Sequence, residues 1–400
     1  MPKTLGKQTA AEFIVLVALL NAMVAMSIDT MLPAIGSIAS ELGAVDPNSR
    51  QFIITSFFGG MTLGTLIYGP WSDSIGRKPA IYAGLALYAV GSLMCLFATN
   101  FEMMLIGRFV QGFGAAAPRI VSIAMVRDGS AGAAMAKVMS FVMTVFMLVP
   151  ILAPSVGQLV LFVASWRFIF AGFLGMGLIA ALWLWLRQPE TLPRERRSPL
   201  SVSALMSAAV EVLRHPVAMG YTLATGCIFG SFICYLGTSQ QIFAVQYDQG
   251  EYFALWFGVF AIAIAIAMVL NGKLVMQYGM RSLSKWALRG NIVLSAGFLV
   301  AALAMAGHPP LWLLGIYLFG NFFCCGILFG NYNAIALEPM GRIAGMAAAI
   351  SGALSSLIAI VFGSWIGQQY DGTVLPLATG FTVLGILALF LTEWAERRRA

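Results

Sequence analysis

Three charged side chains stand well inside long apolar runs: Asp29, Arg108 and Arg119. At the centre of a membrane helix an Asp or Arg costs about 2.5–3.5 kcal/mol, so such groups face a cavity or a partner and mark a pathway. Asp29 is the only acid deep in any of these runs. A carboxyl group in that position can take up and release a proton, which is the chemistry of a carrier. If the run bearing Asp29 points outward and the run bearing Arg108 points inward, both residues lie about one and a half turns from the outer end, and their depths match. Arg119 follows Arg108 at a spacing that returns about 20° past three full turns, so the two arginines share one helix face about 16 Å apart. Gln111 and Ser122 fall on or near that face, and Asn21 lies about two turns before Asp29. Together these residues read as the wall of a cavity. For Arg119 a second reading stands beside this one, a snorkelling side chain that reaches the inner surface.

The elements that must carry these charges follow from composition. Of the 400 residues, 60% are hydrophobic and 10% charged. A soluble domain holds about 25% charged residues, and a globule still needs a polar surface. A lipid-facing surface accounts for the difference. A spanning helix needs about 20 mostly apolar residues. Twelve runs meet this: 13–35, 51–71, 80–98, 103–126, 138–163, 166–186, 217–239, 253–275, 288–306, 311–335, 343–366 and 374–394. The run at 13–35 is too long for a signal peptide and reads as an uncleaved first span. Cytoplasmic loops should be rich in Lys and Arg. With the N-terminus inside, nineteen of the 23 Lys and Arg residues fall in inside segments, Lys3 and Lys7 among them, and only Arg50 and Arg167 fall outside. Both termini are therefore expected in the cytoplasm. The sequence predicts an all-α membrane protein of twelve helices in two six-helix bundles, 1–186 and 216–400, joined by a cytoplasmic linker at 187–215.

Within the linker, Gln188 to Arg197 reads as solvated. The rest predicts a short amphipathic helix on the membrane surface, with Ser198 as cap, Pro199 at its first position and Pro216 at its end. Val202, Leu205, Met206, Ala209, Val212 and Leu213 supply the apolar face.

Several function classes are excluded. The five cysteines lie in apolar runs with no C-x-x-C spacing, and His215 and His308 stand alone beside prolines. No metal site, cofactor site or catalytic constellation is expected, so the chain reads as no enzyme. The net charge of +7 serves topology and not nucleic-acid binding.

The turn after the second run has a readable geometry. In Gly69-Pro-Trp-Ser-Asp-Ser-Ile-Gly-Arg-Lys78, Gly76 permits a positive φ, and Asp73 is an anion at a helix end. Gly272 to Arg281 repeats this pattern weakly after the eighth run, with Gly279 matching Gly76, Arg281 matching Lys78 and Met276 replacing Asp73. Two such repeats suit a secondary transporter with its site near midplane. In the fifth run Pro150 and Pro154 are expected to bend the helix, with Gly157 following.

The segment Gly69–Pro79 resembles the signature of the major facilitator superfamily. Ser27–Ala34, Gly107–Gly114 with Arg127-Asp128, Pro150–Gly157 and Ser165–Phe170 narrow the resemblance to the Bcr/CflA family of drug:proton antiporters. Gln158 stands where that family's span-five motif usually has a second glycine, and Asn21 where some drug antiporters carry a second acid. The resemblance implies a gating cluster of Gly69, Asp73, Gly76, Arg77, Lys78 and Asp128, with Arg77 pairing Asp128 and Asp73 meeting the start of span eleven. It also implies an antiporter motif of Pro150, Pro154 and Gly157 that seals the interface of the halves. Proton coupling then falls to Asp29 with Arg108, and the cavity to Arg119, Gln111, Asn21 and Ser122. In the second half, polar and aromatic groups suited to amphipathic molecules are Tyr235, Gln240, Asn321, Asn331 and Tyr332. The expected protein exports small drug-like or toxic compounds from a bacterial cytoplasm in exchange for protons, as a monomer in the inner membrane. Transport of a physiological metabolite such as an amino acid or sugar is the alternative.

Overall fold

A computed structural model of the chain describes residues 9–130 and 132–399, with the side chains of residues 133 and 136 left aside. Lys3, Lys7 and Ala400 lie outside the described residues. Within them the chain is helical throughout, with no strand. The helices are α1 (Ala10–Asp29), α2 (Ile35–Glu41), α3 (Phe52–Ile75), α4 (Arg77–Leu96), α5 (Phe101–Gly129), α6 (Gly132–Val163), α7 (Arg167–Arg187), α8 (Val202–Arg214), α9 (Pro216–Gln241), α10 (Phe253–Tyr278), α11 (Met280–Ala304), α12 (Leu311–Leu337), α13 (Ala344–Gly367) and α14 (Leu375–Arg397). The apolar runs fold this way because a helix satisfies its backbone groups internally where no water is present. The ends use local chemistry. Thr9 and Glu12 form a capping box on α1, and the Asn100 side chain accepts from the Met103 N–H at the start of α5.

Among the described residues, eleven continuous segments are long and apolar enough to cross a membrane. One of them, Leu311–Gly367, has 57 residues. It contains both α12 and α13, joined by a short 3-10 stretch (Glu338–Ile343) in which Met340 leaves helical geometry.

By internal contact the chain divides into two units: Met1–Ala44 with Ser56–Val202, and Val45–Thr55 with Ser203–Ala400. Helix α3 thus begins in the second unit and continues in the first. In the first unit α4 packs along α5 and α7, and α1 along α6. In the second, α9 packs on α13 and α14, while α12 lies against α10 and α11.

Three expectations change. The first run does not continue to residue 35. Pro33 has no N–H to offer the carbonyl of Asp29, so α1 stops at Asp29 and the chain passes through a 3-10 turn (Leu32–Ala34) before α2. The linker helix starts at Val202, not Pro199, and the Ser198 N–H donates to the Asp73 carbonyl. Pro216 is the first residue of α9.

The apolar face of α8 is shared between two surroundings. Ala208 and Val212 are buried with Ala218, Met340, Ala347 and Ile350 of the second unit, whereas Val202, Met206 and Leu213 stay exposed. A charge at Val212 would be buried without a partner and should cost several kcal/mol. Val212→Asp is therefore expected to lower the thermal-unfolding midpoint of the purified protein, while Met206→Asp leaves it nearly unchanged. Equal midpoints for both variants would show that α8 is not docked.

Candidate functional site

The break that ends α1 leaves Asp29 at its last residue, 6% exposed. The helix packed beside this break is α6, and the approach is close. A β-carbon built on Gly157 would stand 1.8 Å from the Thr30 carbonyl oxygen, so only glycine permits it. The two prolines ahead of it do not interrupt α6, which runs unbroken from Gly132 to Val163. The Gly157 face of this motif is thus spent on the backbone next to Asp29.

Arg108 on α5 is fully buried, yet among the described residues it makes no ion pair with Asp29. Matching depth did not bring the two together: the guanidinium has its ring contact and its Gln111 hydrogen bond elsewhere. Its carbon lies 4.4 Å from the centre of the Phe57 ring, and Nη1 donates to Gln111 Oε1 at 2.5 Å. Gln111 in turn donates to Ser92 Oγ (2.9 Å), and Ser92 to the Tyr88 carbonyl (2.7 Å). The Tyr88 hydroxyl shares a 2.6 Å hydrogen bond with Ser27, two residues before Asp29. Uncharged groups therefore tie α1, α4 and α5 together between the buried acid and the buried base.

About two turns before Asp29, Asn21 donates to Ser122 Oγ at 3.0 Å and to the Val17 carbonyl at 2.8 Å. Asn21, Gln111 and Ser122 thus act as interhelical ties, all of them buried. Arg119 differs. It is half-buried, and among the described residues its side chain has one polar contact, Met61 Sδ at 3.6 Å. Among the described residues no carboxylate lies within ion-pairing distance of it.

The turn between α3 and α4 is a dense electrostatic cluster. Gly76 adopts φ 110°, a conformation L side chains rarely take. Arg77 donates through Nε to Asp128 Oδ2 (2.8 Å) and through Nη1 to Asp73 Oδ1 (2.5 Å) and Ser72 Oγ (2.8 Å). Gly69 faces open space and imposes no steric demand. Sequence reasoning missed Glu190. Its two oxygens accept from the Arg77 and Lys78 backbone N–H groups at 3.0 Å each, and Lys78 Nζ reaches the Gln188 carbonyl at 2.7 Å. A carboxylate over the first N–H groups of α4 satisfies its positive end. A side chain on Gly76 would collide with it, 2.7 Å from Glu190 Oε2. The segment read as a solvated linker is therefore a strap on this turn. The available signal was a lone acid close behind a long helix, in a stretch otherwise rich in arginine.

The second unit repeats the arrangement with other residues. Gly279 has φ 76° at the start of α11, and Arg281 pairs with Glu338 (2.6 Å) and Glu396 (2.9 Å). The residues proposed for this unit's cavity are committed to packing. Tyr235 lies among Phe257, Phe260 and Phe322. Asn321 accepts from Asn291 and Ser295, Asn331 exchanges two 2.9 Å bonds with Asn271, and Tyr332 packs edge-on to Tyr221. Gln240 accepts from Arg50 at 3.0 Å.

Comparison with known proteins agrees with this architecture. The chain is 30% identical over 394 residues to a bicyclomycin resistance protein homolog of Haemophilus influenzae, covering 95% of this chain and 96% of that one. It is 27% identical to the multidrug resistance protein MdtL of Citrobacter koseri, covering 90% and 87%. The crystal structure of a D-xylose-proton symporter superposes with a TM-score of 0.77 at 15% identity, covering 97% and 98%, which bears on the fold alone. Residues 17–364 match the Major Facilitator Superfamily. An all-helical chain with spanning-length apolar helices, a charge-paired basic turn in each unit and a buried acid at a helix break thus belongs to the Major Facilitator Superfamily of membrane transporters.

Proposed function

We propose that this multi-pass transporter exports small drug-like or toxic compounds from the bacterial cytoplasm in exchange for protons, by alternating access. The observation that carries this reading is Asp29, a buried carboxyl at the break in α1, clamped by Gly157 of α6. The names of its relatives, resistance proteins against bicyclomycin and against multiple drugs, support the substrate class. A carrier group must be reachable in both protonation states, and a helix break is where a small backbone change can alter its exposure. The buried ties from Ser27 through Tyr88, Ser92 and Gln111 to Arg108 offer a route by which that change reaches α5 without a direct ion pair. Arg119, without an anionic partner, is the group proposed to meet a substrate.

The long segment Leu311–Gly367 is read as two crossings. At 1.5 Å per residue it would extend about 85 Å, far beyond a hydrocarbon core of about 30 Å. The chain then crosses the inner membrane twelve times, with residues 1–186 and 216–400 as two bundles, 187–215 as the cytoplasmic linker, and both termini inside. It is proposed to act as a monomer. Asp73 is proposed to engage the start of span eleven in the state closed toward the cytoplasm.

Replacing Asp29 by Asn keeps the shape and removes the proton. Asp29→Asn is expected to reach the membrane at normal levels, to lose about tenfold or more of uphill efflux, and to lose substrate-induced proton release. Asp29→Glu should retain part of both. Uphill pumping by Asp29→Asn in proteoliposomes on a pH gradient alone would refute the coupling role. Arg119→Gln should weaken transport of some compounds more than others; unchanged rates across a panel would return Arg119 to a snorkelling role. For orientation, single cysteines at Ser198 and Asp371, in a protein freed of its five native cysteines, should differ: from outside whole cells Asp371→Cys labels and Ser198→Cys does not. The reverse pattern would invert the topology.

A further inference from the structure

The 3-10 turn that leads into α3 is held in the second unit by a set of uncharged amides. Gln51 is 2% exposed. Its Nε2 donates to the Gly367 carbonyl (2.8 Å) and to Gln241 Oε1 (3.1 Å). Gln241 Nε2 donates to Asn48 Oδ1 (2.8 Å), and Asn48 Nδ2 to the carbonyls of Gln368 (3.1 Å) and Tyr370 (2.8 Å). Gln368 Nε2 returns to the Asn48 carbonyl at 2.9 Å. The seat for Gln51 is shaped by two glycines. A β-carbon on Gly367 would lie 2.2 Å from Gln51 Oε1, and one on Gly237 3.3 Å from Gln51 Cβ. Asp46 caps the short 3-10 turn before α3 by accepting from the Asn48 N–H at 2.7 Å, which fixes the angle at which Gln51 enters.

Five residues after Gln51, at Ser56, α3 passes into the first unit. Any motion of α3 with the first unit must therefore either bend the helix near Thr55 or withdraw Gln51 from its seat. We propose that Asn48, Gln51 and Gln241 form a releasable latch that stabilises the conformation seen here, and that Gln51 is its key, withdrawn once in each transport cycle. The release rests on the transporter reading above; the latch itself does not. Its chemistry suits repeated opening. Neutral amides bond closely in the absence of water and are readily hydrated when pulled out, whereas a buried ion pair would leave a stranded charge. Being uncharged, the latch is also indifferent to the pH changes that a proton-coupled cycle creates.

Thr55 lies one turn beyond Gln51 and is buried, so a cysteine there reports opening. The test uses the purified full-length protein in detergent, its native cysteines replaced, carrying Thr55→Cys and reacted with a maleimide. With Gln51 present, labelling should be slow. Gln51→Leu, which keeps bulk and loses both donors, should speed it about tenfold. Gly367→Ala, whose methyl group takes the place of Gln51 Oε1, should do the same, and it serves as an independent second variant. Gln51→Glu gives the readout that a merely structural role would not. A carboxylate has no hydrogen to give the Gly367 carbonyl, and a carboxylic acid has one. With Gln51→Glu, labelling should be fast at alkaline pH and fall toward the Gln51 rate at acidic pH, each rate taken relative to the Gln51 protein at the same pH. Asp46, Arg50 and Tyr370, which line the cavity beside the latch, are common to all these proteins and cancel in that ratio. Equal labelling rates for Gln51, Gln51→Leu and Gly367→Ala, or a pH-independent ratio for Gln51→Glu, would overturn the latch. Because no substrate or gradient is present, this result is separate from the fate of the efflux reading, which the Asp29→Asn experiment decides.

Discussion

Hydrocarbon offers a polar group no partner, and every arrangement described above answers to that constraint. It makes the apolar runs helical and the buried side-chain groups pair with one another. It also makes an unpaired carboxyl conspicuous. Ser27 with Tyr88, Asn21 with Ser122, Gln111 with Ser92 and Asn271 with Asn331 are the same solution at four places: a short uncharged bond between two helices. Arg108 is the costliest group so treated, covered by an aromatic face and an amide one turn away on its own helix. Against this background Asp29 stands at a point where the helix itself has been interrupted, and the interruption has a covalent cause in Pro33.

Outside the apolar zone a different economy holds, and full charges are used. Arg77 with Asp73 and Asp128, and Arg281 with Glu338 and Glu396, bind the turn that follows α3 and the one that follows α10. The two clusters share a glycine of positive φ and an arginine at the start of the following helix, but they draw their carboxylates from different elements. The first adds Glu190 as a strap from the linker, with Lys78 reaching the strap's own backbone. The uncharged latch at Gln51 and the charged clusters at the helix turns thus differ in kind.

Much of the fold was legible because the hydrophobic period and length of a spanning helix leave few alternatives. The runs located most ends of the long helices to within a few residues, although α11 begins eight residues and α6 six residues before its run, and the basic turn announced its own geometry through Gly76. The errors have local physical reasons. Reading 13–35 as one helix gave Pro33 too little weight, although the missing N–H of a proline is written in the sequence. Reading Gln188–Arg197 as solvated treated Glu190 as one charge among many, when its role depends on bare N–H groups supplied by α4, far away in the chain. Tyr235, Asn321, Asn331 and Tyr332 were singled out because polar groups in apolar runs are expensive. That argument says only that they have partners, and the structure supplies interhelical partners for each of them.

What the sequence by itself determined is the class of the molecule: a helical membrane protein with spanning-length apolar segments, and an acid placed deep in one of them. These follow from transfer free energies and from local backbone chemistry, which act residue by residue. Only the tertiary structure decided which polar groups meet. It separated Asp29 from Arg108, set Gly157 against Thr30, brought Glu190 to the start of α4, and seated Gln51 between Gly237 and Gly367. Such contacts join residues tens to hundreds of positions apart, and at each of them the deciding quantity is a distance of a few tenths of an ångström that no periodicity in the chain encodes.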